Sequence, residues 1–231
     1  MFKQMQKTVC ALAVLAVTAT SAMAADSVDV KVTGTISPTA CTPTLTSGGV
    51  VDYGTINANT LSADAYNVLA SKQLDLSISC DAPAKVALKS INNRPNTVAG
   101  ATEGAGGAAV APVSLLNASN MPVVGLGMEG EAKIGGYTMT LSDSKVDGSE
   151  AALLTQNSGE TTWNTSTNSA LFSNSAAVLT SWGAASTTAP VAFETLNATL
   201  NVQAYLNKGS ELDLTKEVTL DGMSTLELYY L

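Results

Sequence analysis

The chain has 231 residues, with 11 Lys and Arg, 19 Asp and Glu and no histidine, and 45% of its side chains are hydrophobic against 13% charged. Without histidine there is no Ser-His-Asp or Cys-His nucleophile pair, no imidazole acid–base catalyst near neutral pH and no histidine-ligated metal site of the usual kind, so the reading is non-enzymatic and without a cofactor. A net charge of −8 and a pI near 4.4 argue against nucleic acid or an anionic membrane as partner, because phosphate contacts need clustered Lys and Arg.

Residues 1–24 read as a secretory signal. Lys3 and Lys7 precede an apolar run from Val9 to Val17, and Ser21-Ala22-Met23-Ala24 fits the small-residue cleavage pattern. A membrane anchor is the other reading, but the apolar run is about 9 residues long where a span needs roughly 20. Removal after Ala24 leaves 207 residues, enough for one all-β domain with a sizeable core. Cys10 departs with the signal, and Cys41 and Cys80 remain. In an exported chain two cysteines suggest one disulfide, with two buried thiols as the alternative. The bond would close a loop worth roughly 3–4 kcal/mol in the chain-entropy model.

Along the remaining chain, hydrophobicity repeats every two residues far more than every 3.6. Val28, Val30, Val32 and, past Gly34, Ile36 alternate with Asp29, Lys31, Thr33 and Thr35. Leu74, Leu76, Ile78 and Cys80 do the same around Asp75, Ser77 and Ser79. Further strands are predicted at 85–91, 122–128, 137–141, 198–206, 216–220 and 225–230, all short and bounded by turn-forming residues. No amphipathic helix is evident, so the pattern predicts an antiparallel sandwich. Between Asn92 and Pro190 the composition becomes rich in Gly, Ala, Ser, Thr and Asn, which predicts long surface loops with the sandwich still passing through at 137–141.

Three local patterns invite chemical readings. Gly125-Leu126-Gly127-Met128-Glu129-Gly130 fits G-x-G-x-x-G, but a dinucleotide site needs a helix after it, and a glycine-bent strand and turn is the reading preferred. Ser142-Asp143-Ser144-Lys145 fits S-x-x-K, here read as a polar turn without companion motifs. Asn117, Asn164 and Asn197 match the glycosylation acceptor, as a Ser- and Thr-rich chain does by chance.

The two ends of the chain are the most informative. Val28 to Ile36 alternates ahead of Cys41, and the chain closes with Leu226, Leu228 and Tyr230 alternating against Thr225, Glu227 and Tyr229. Each could be an ordinary terminal strand. The first, with its embedded Gly34, then Pro38 and Cys41, resembles the N-terminal extension of chaperone–usher pilus subunits. Val50-Val51-Asp52-Tyr53-Gly54-Thr55-Ile56, Leu74 to Cys80, Leu200 to Tyr205 and the penultimate Tyr230 are similar to that family's later segments. The wording around Cys41 and around Gly48 to Gly54 is similar to β-fimbrial subunits of otherwise unknown function. The resemblance covers roughly residues 1–91 and 196–231, and the middle matches only in texture.

What the resemblance implies is an incomplete immunoglobulin-like β-sandwich, the pilin fold, over residues 41–231, with long central loops at about 92–190. Residues 25–40 would be a donor-strand extension whose Val28, Val30, Val32, Gly34 and Ile36 enter the groove of a neighbouring subunit, completing its sheet by donor-strand complementation. Leu226, Leu228 and Tyr230 would line the acceptor groove, and Cys41–Cys80 would pin the first strands. The implied function is that of a structural subunit of a surface fimbria. Its partners would be a periplasmic chaperone, an outer-membrane usher and like subunits, and its location the cell surface, reached through the periplasm. The alternative is an exported sandwich whose central loops bind a carbohydrate, a host or surface glycan.

Overall fold

A computed structural model describes residues 29–35 and 39–231, so the signal segment 1–24, Val28, Ile36 and Pro38 lie outside the described residues. The chain divides into two units, Met1–Ser37 and Pro38–Leu231. In the first, Asp29 to Thr35 forms no strand, and Val30 and Val32 are 86% and 93% exposed.

The second unit is all-β. Its principal strands are β1 (Cys41–Leu45), β2 (Lys72–Ala84), β3 (Val86–Asn92), β4 (Pro122–Gly125), β5 (Gly135–Val146), β6 (Ser149–Asn157), β7 (Val178–Ala184), β8 (Phe193–Leu206) and β9 (Ser224–Tyr230). They pair antiparallel in the order β1-β2-β8-β5-β6-β7-β3-β9, with β4 alongside β5. The hairpin β5–β6 carries the path from one layer to the other. Ser149 and Glu150 pair with β5, whereas Ala151 to Asn157 pair with β7. The result is a nearly closed sandwich whose path begins in β1 and ends in β9.

Side-chain alternation explains the layering. Leu74, Leu76 and Ile78 of β2 and Leu196, Ala198, Leu200, Val202 and Ala204 of β8 point into one core, and their polar neighbours point out. Trp182 of β7, fully buried, stands edge-on to Phe193 at 5.9 Å, and its indole N–H donates to Ser144 Oγ at 3.2 Å. Cys41 and Cys80 form the disulfide, at a paired position of β1 and β2.

The central region departs from the loops expected of it, because β5, β6 and β7 all lie within it. β5 begins with seven consecutive buried residues, Gly135 to Leu141, since a second cluster covers its other face. That cluster gathers Val98, Ala109, Leu115, Met121, Val123 and Tyr205, and the Tyr205 hydroxyl donates to the Ala99 carbonyl at 2.6 Å. The Ser142–Lys145 pattern is part of β5 rather than a turn after it, with Ser144 buried against Trp182 and Lys145 exposed. Where a strand was expected at 216–220 the chain belongs to no sheet.

Asp147 fastens the turn between β5 and β6 to β8. Its Oδ1 accepts from the N–H groups of Glu194 and Thr195 and from the Thr195 hydroxyl, at 2.8–3.2 Å, and these bonds hold its carboxyl below the usual range. Trp182→Ala should cost about 3–5 kcal/mol in urea unfolding, since it opens a cavity at the centre of the core. A loss under 1 kcal/mol would show that this ring is not a keystone of the packing.

Candidate functional site

The first and last strands of the path meet at a single point. The Cys41 N–H donates to the Tyr230 hydroxyl at 2.7 Å, which closes the seam at the disulfide end. Away from that contact the seam opens. After β1 the chain turns through Ser47, Gly48 and Gly49, all with positive φ (54°, 62° and 78°), a conformation glycine adopts without strain. It returns as an irregular wall, Val50 to Ile56, bent at Gly54, whose φ is +63°. The facing wall comes from the stretch leading into β9, Lys216 to Leu226.

Between the walls lie two open cavities of about 640 and 350 Å³. Val50, Val51, Tyr53 and Leu220 line both, so the two form one groove. Its apolar lining is core left half covered, for Leu45, Val51, Tyr53, Val218, Leu220 and Leu226 pack against the main cluster yet stay partly exposed. On the second wall Val218, Leu220, Ser224, Leu226 and Leu228 are half-buried and every intervening residue but Gly222 has its own side chain exposed, an alternation characteristic of a strand.

Neither wall is paired over Val51–Ile56 or Lys216–Leu220, whereas Ser224 to Leu226, farther along the groove, pair with β3. Among the described residues, the backbone of Val51–Ile56 makes one bond, from Gly54 N–H to Asp52 Oδ1 at 2.7 Å, and that of Lys216–Leu220 makes none. Two rings set the depth. The Tyr53 hydroxyl accepts from Ala204 N–H at 3.2 Å, and burial pushes its pKa up while that bond opposes the rise. Tyr137 shares a hydrogen bond with Ser224, and burial raises its hydroxyl likewise, against Ser224 and Arg94. A Cβ on Gly222 would come within 2.8 Å of Leu126 and 2.9 Å of Tyr137, so this position must stay bare for the wall to lie where it does.

The residues singled out at the chain's end are therefore placed together, in differing roles. Leu226 lines the groove, Leu228 packs half-buried on the core beyond it, and Tyr230 closes its end. Val30, Val32 and Gly34 sit in the separate leading unit, and Val28 and Ile36 lie outside the described residues. Sequence reasoning missed Tyr53, Tyr137 and Leu220 as lining residues; the alternation over 218–228 was the signal for the last. No group of His, Cys, Asp and Glu able to hold a metal occurs among the described residues, and no helix among them is long and apolar enough to cross a membrane. The Gly125–Gly130 pattern ends β4 and opens a small hairpin, Leu126 to Ile134, not a helix.

Residues 30–138 match the family described as a protein of unknown function (DUF1120). Protein GltF of Escherichia coli (strain K12) is 30% identical over 257 residues, covering 100% of this chain and 99% of its own length. This chain belongs to that family. The uncharacterized protein YhcF of the same organism is 34% identical over 80 residues, 35% of this chain and 34% of its own. No solved structure matches the chain. Within this family member, the matched region takes in the first wall of the groove and Tyr137 but not the second wall.

Midway along the second wall is Asp221, whose carboxyl is held below its ordinary value chiefly by Arg94. A carboxylate depressed in the folded state stabilises that state above its unfolded pKa and loses this contribution as pH falls through the folded value. The thermal midpoint should therefore fall more steeply below about pH 4 in the wild type than in Asp221→Asn. Superimposable acid limbs would show that the pair adds nothing to stability.

Proposed function

We propose that this protein is a non-enzymatic structural subunit of a chaperone–usher surface fimbria, in which the leading segment of one copy completes the sandwich of the next. The observation that carries the reading is the pair of facing, unpaired backbone edges along an apolar groove. A single added strand meets the needs of both edges at once, because each residue of a strand offers hydrogen bonds to both sides while alternate side chains point down.

The segment from Val28 to Ile36 suits that place. Nine residues span about 26 Å, against about 33 Å for the wall from Lys216 to Leu226. Val28, Val30, Val32 and Ile36 would all face the groove floor, with Gly34 where a side chain finds no room. Burying those four side chains contributes roughly 6–12 kcal/mol as an upper bound, before the backbone ladder is added. The exposure of Val30 and Val32 supports the reading, since two valines so placed leave apolar surface for another molecule to cover. On this reading the fold is an immunoglobulin-like sandwich short of one strand. A periplasmic chaperone would fill the groove before an usher passes the subunit to the cell surface.

Purified subunits should form ladders that survive detergent at room temperature and collapse on boiling. A chain lacking residues 25–40 should form none, yet take up a synthetic peptide of residues 25–36. Ladders from the truncated chain, or equal uptake of a peptide carrying Val30→Asp and Val32→Asp, would sink the proposal.

A further inference from the structure

The stretch Asp213–Gly222 belongs to no sheet, so side chains must hold it in place of a ladder. At one end the Arg94 guanidinium grips Asp221. Nε donates to Asp221 Oδ2 at 2.8 Å and to its carbonyl at 3.0 Å, and Nη2 donates to Oδ1 at 2.7 Å. The Asp221 N–H donates in turn to the Leu126 carbonyl at 3.0 Å. Nearer the other end, the Lys216 ammonium lies 2.5 Å from Glu129 Oε1 and 3.9 Å from Asp213. Between these two fastenings no backbone bond is made over Glu217–Leu220 among the described residues.

Both fastenings lead to one small element. Leu126 and Glu129 belong to the hairpin Leu126–Ile134, the glycine-patterned turn that no chemistry claimed. Its glycines are spaced for this duty. A Cβ on Gly125 would strike Thr97 Oγ1 at 1.9 Å, and that hydroxyl donates to the Arg94 carbonyl at 2.7 Å. A Cβ on Gly127, whose φ is +84°, would stand 3.2 Å from Asp221 Cβ. The pattern thus lets the Arg94 loop and the Asp221 turn come close to the hairpin.

We propose that Asp213–Gly222 is a strap latched by the Arg94–Asp221 and Glu129–Lys216 ion pairs, and that the latch governs how fast a β-strand leaves the groove. The strand-release part rests on the reading of the groove given under Proposed function. Arg94 and Glu129 do not line the groove, so they act as positioning residues through the wall that does. The pairs are open to solvent, with side-chain exposures of 30% and 59% for Arg94 and Asp221 and 54% and 25% for Lys216 and Glu129, so salt reaches them. Loss of an exposed pair changes an equilibrium by roughly two- to fivefold.

The test uses the full chain with Cys10→Ser and nitroxide labels at Thr55→Cys and Thr219→Cys, one exposed position on each wall. Pulsed electron resonance should give a narrow distance distribution at low salt, broadened in Arg94→Gln and in Glu129→Gln and restored in the charge-swapped Glu129→Lys/Lys216→Glu. In unlabelled protein lacking residues 25–40, a fluorescent peptide of residues 25–36 should dissociate roughly two- to fivefold faster from the Arg94→Gln and Glu129→Gln variants, neither of which alters a lining residue. Unchanged distributions in both glutamine variants would overturn the latch. Broadened distributions with unchanged dissociation would overturn its role in strand release. A chain lacking residues 25–40 and otherwise of wild-type sequence that binds no peptide would overturn the reading of the groove itself, and the release role with it, while the distance measurement still reports on the latch.

Discussion

Backbone N–H and C=O groups beside an apolar surface need partners, and here, among the described residues, two runs of them border one groove with a single bond, from Gly54 N–H to the Asp52 side chain. Every other feature of the site is arranged around that groove. The core residues beneath it are half covered because no strand lies over them. The alternation of Val218, Leu220, Ser224, Leu226 and Leu228 belongs to a strand that is paired only in its second half. A sandwich whose terminal strands were joined along their length would bury these side chains and saturate both edges.

The glycine turn after β1 leads into the first wall, and two rings line the groove between the walls, the Tyr53 hydroxyl tied to Ala204 of β8 and the Tyr137 hydroxyl to Ser224 of the second wall. Ion pairs do for the second wall what a ladder does for the strands around it. Such a wall is held at two points, and between them its amides and carbonyls make no bond among the described residues.

The period-two pattern in β2, β8 and β9 was plain in the sequence because each has one face on the core and one on solvent. Of β5 only 137–141 was legible, where Tyr137, Met139 and Leu141 alternate with Thr138 and Thr140; that its second face is also buried, beneath the cluster of Val98, Leu115 and Val123, and that the strand runs on to Val146 left no such signal. β6 and β7 were hidden for a different reason: their Ser, Thr and Ala residues are those of the loops around them, and only Leu154 and Trp182 announce the core. At the groove, of the Leu226 to Tyr230 alternation only Leu226 is among the lining residues. The role of the opposite wall leaves no local signal, since Tyr53 acts through a contact with Ala204, 151 residues away. The stretch 216–220 was read as a strand from its side chains, and its side chains do alternate; what sequence could not supply was a partner for its backbone.

The disulfide has a mechanical consequence. Cys41 opens β1, an edge strand, but its sulfur is bonded to Cys80 in β2, which is flanked on both sides by other strands. A pull applied to the chain at Ala40 passes through the covalent bridge into the interior of the sheet and spares the five-residue edge strand. Tension then meets many rungs loaded in shear together, a far tougher arrangement than rungs peeled away one after another.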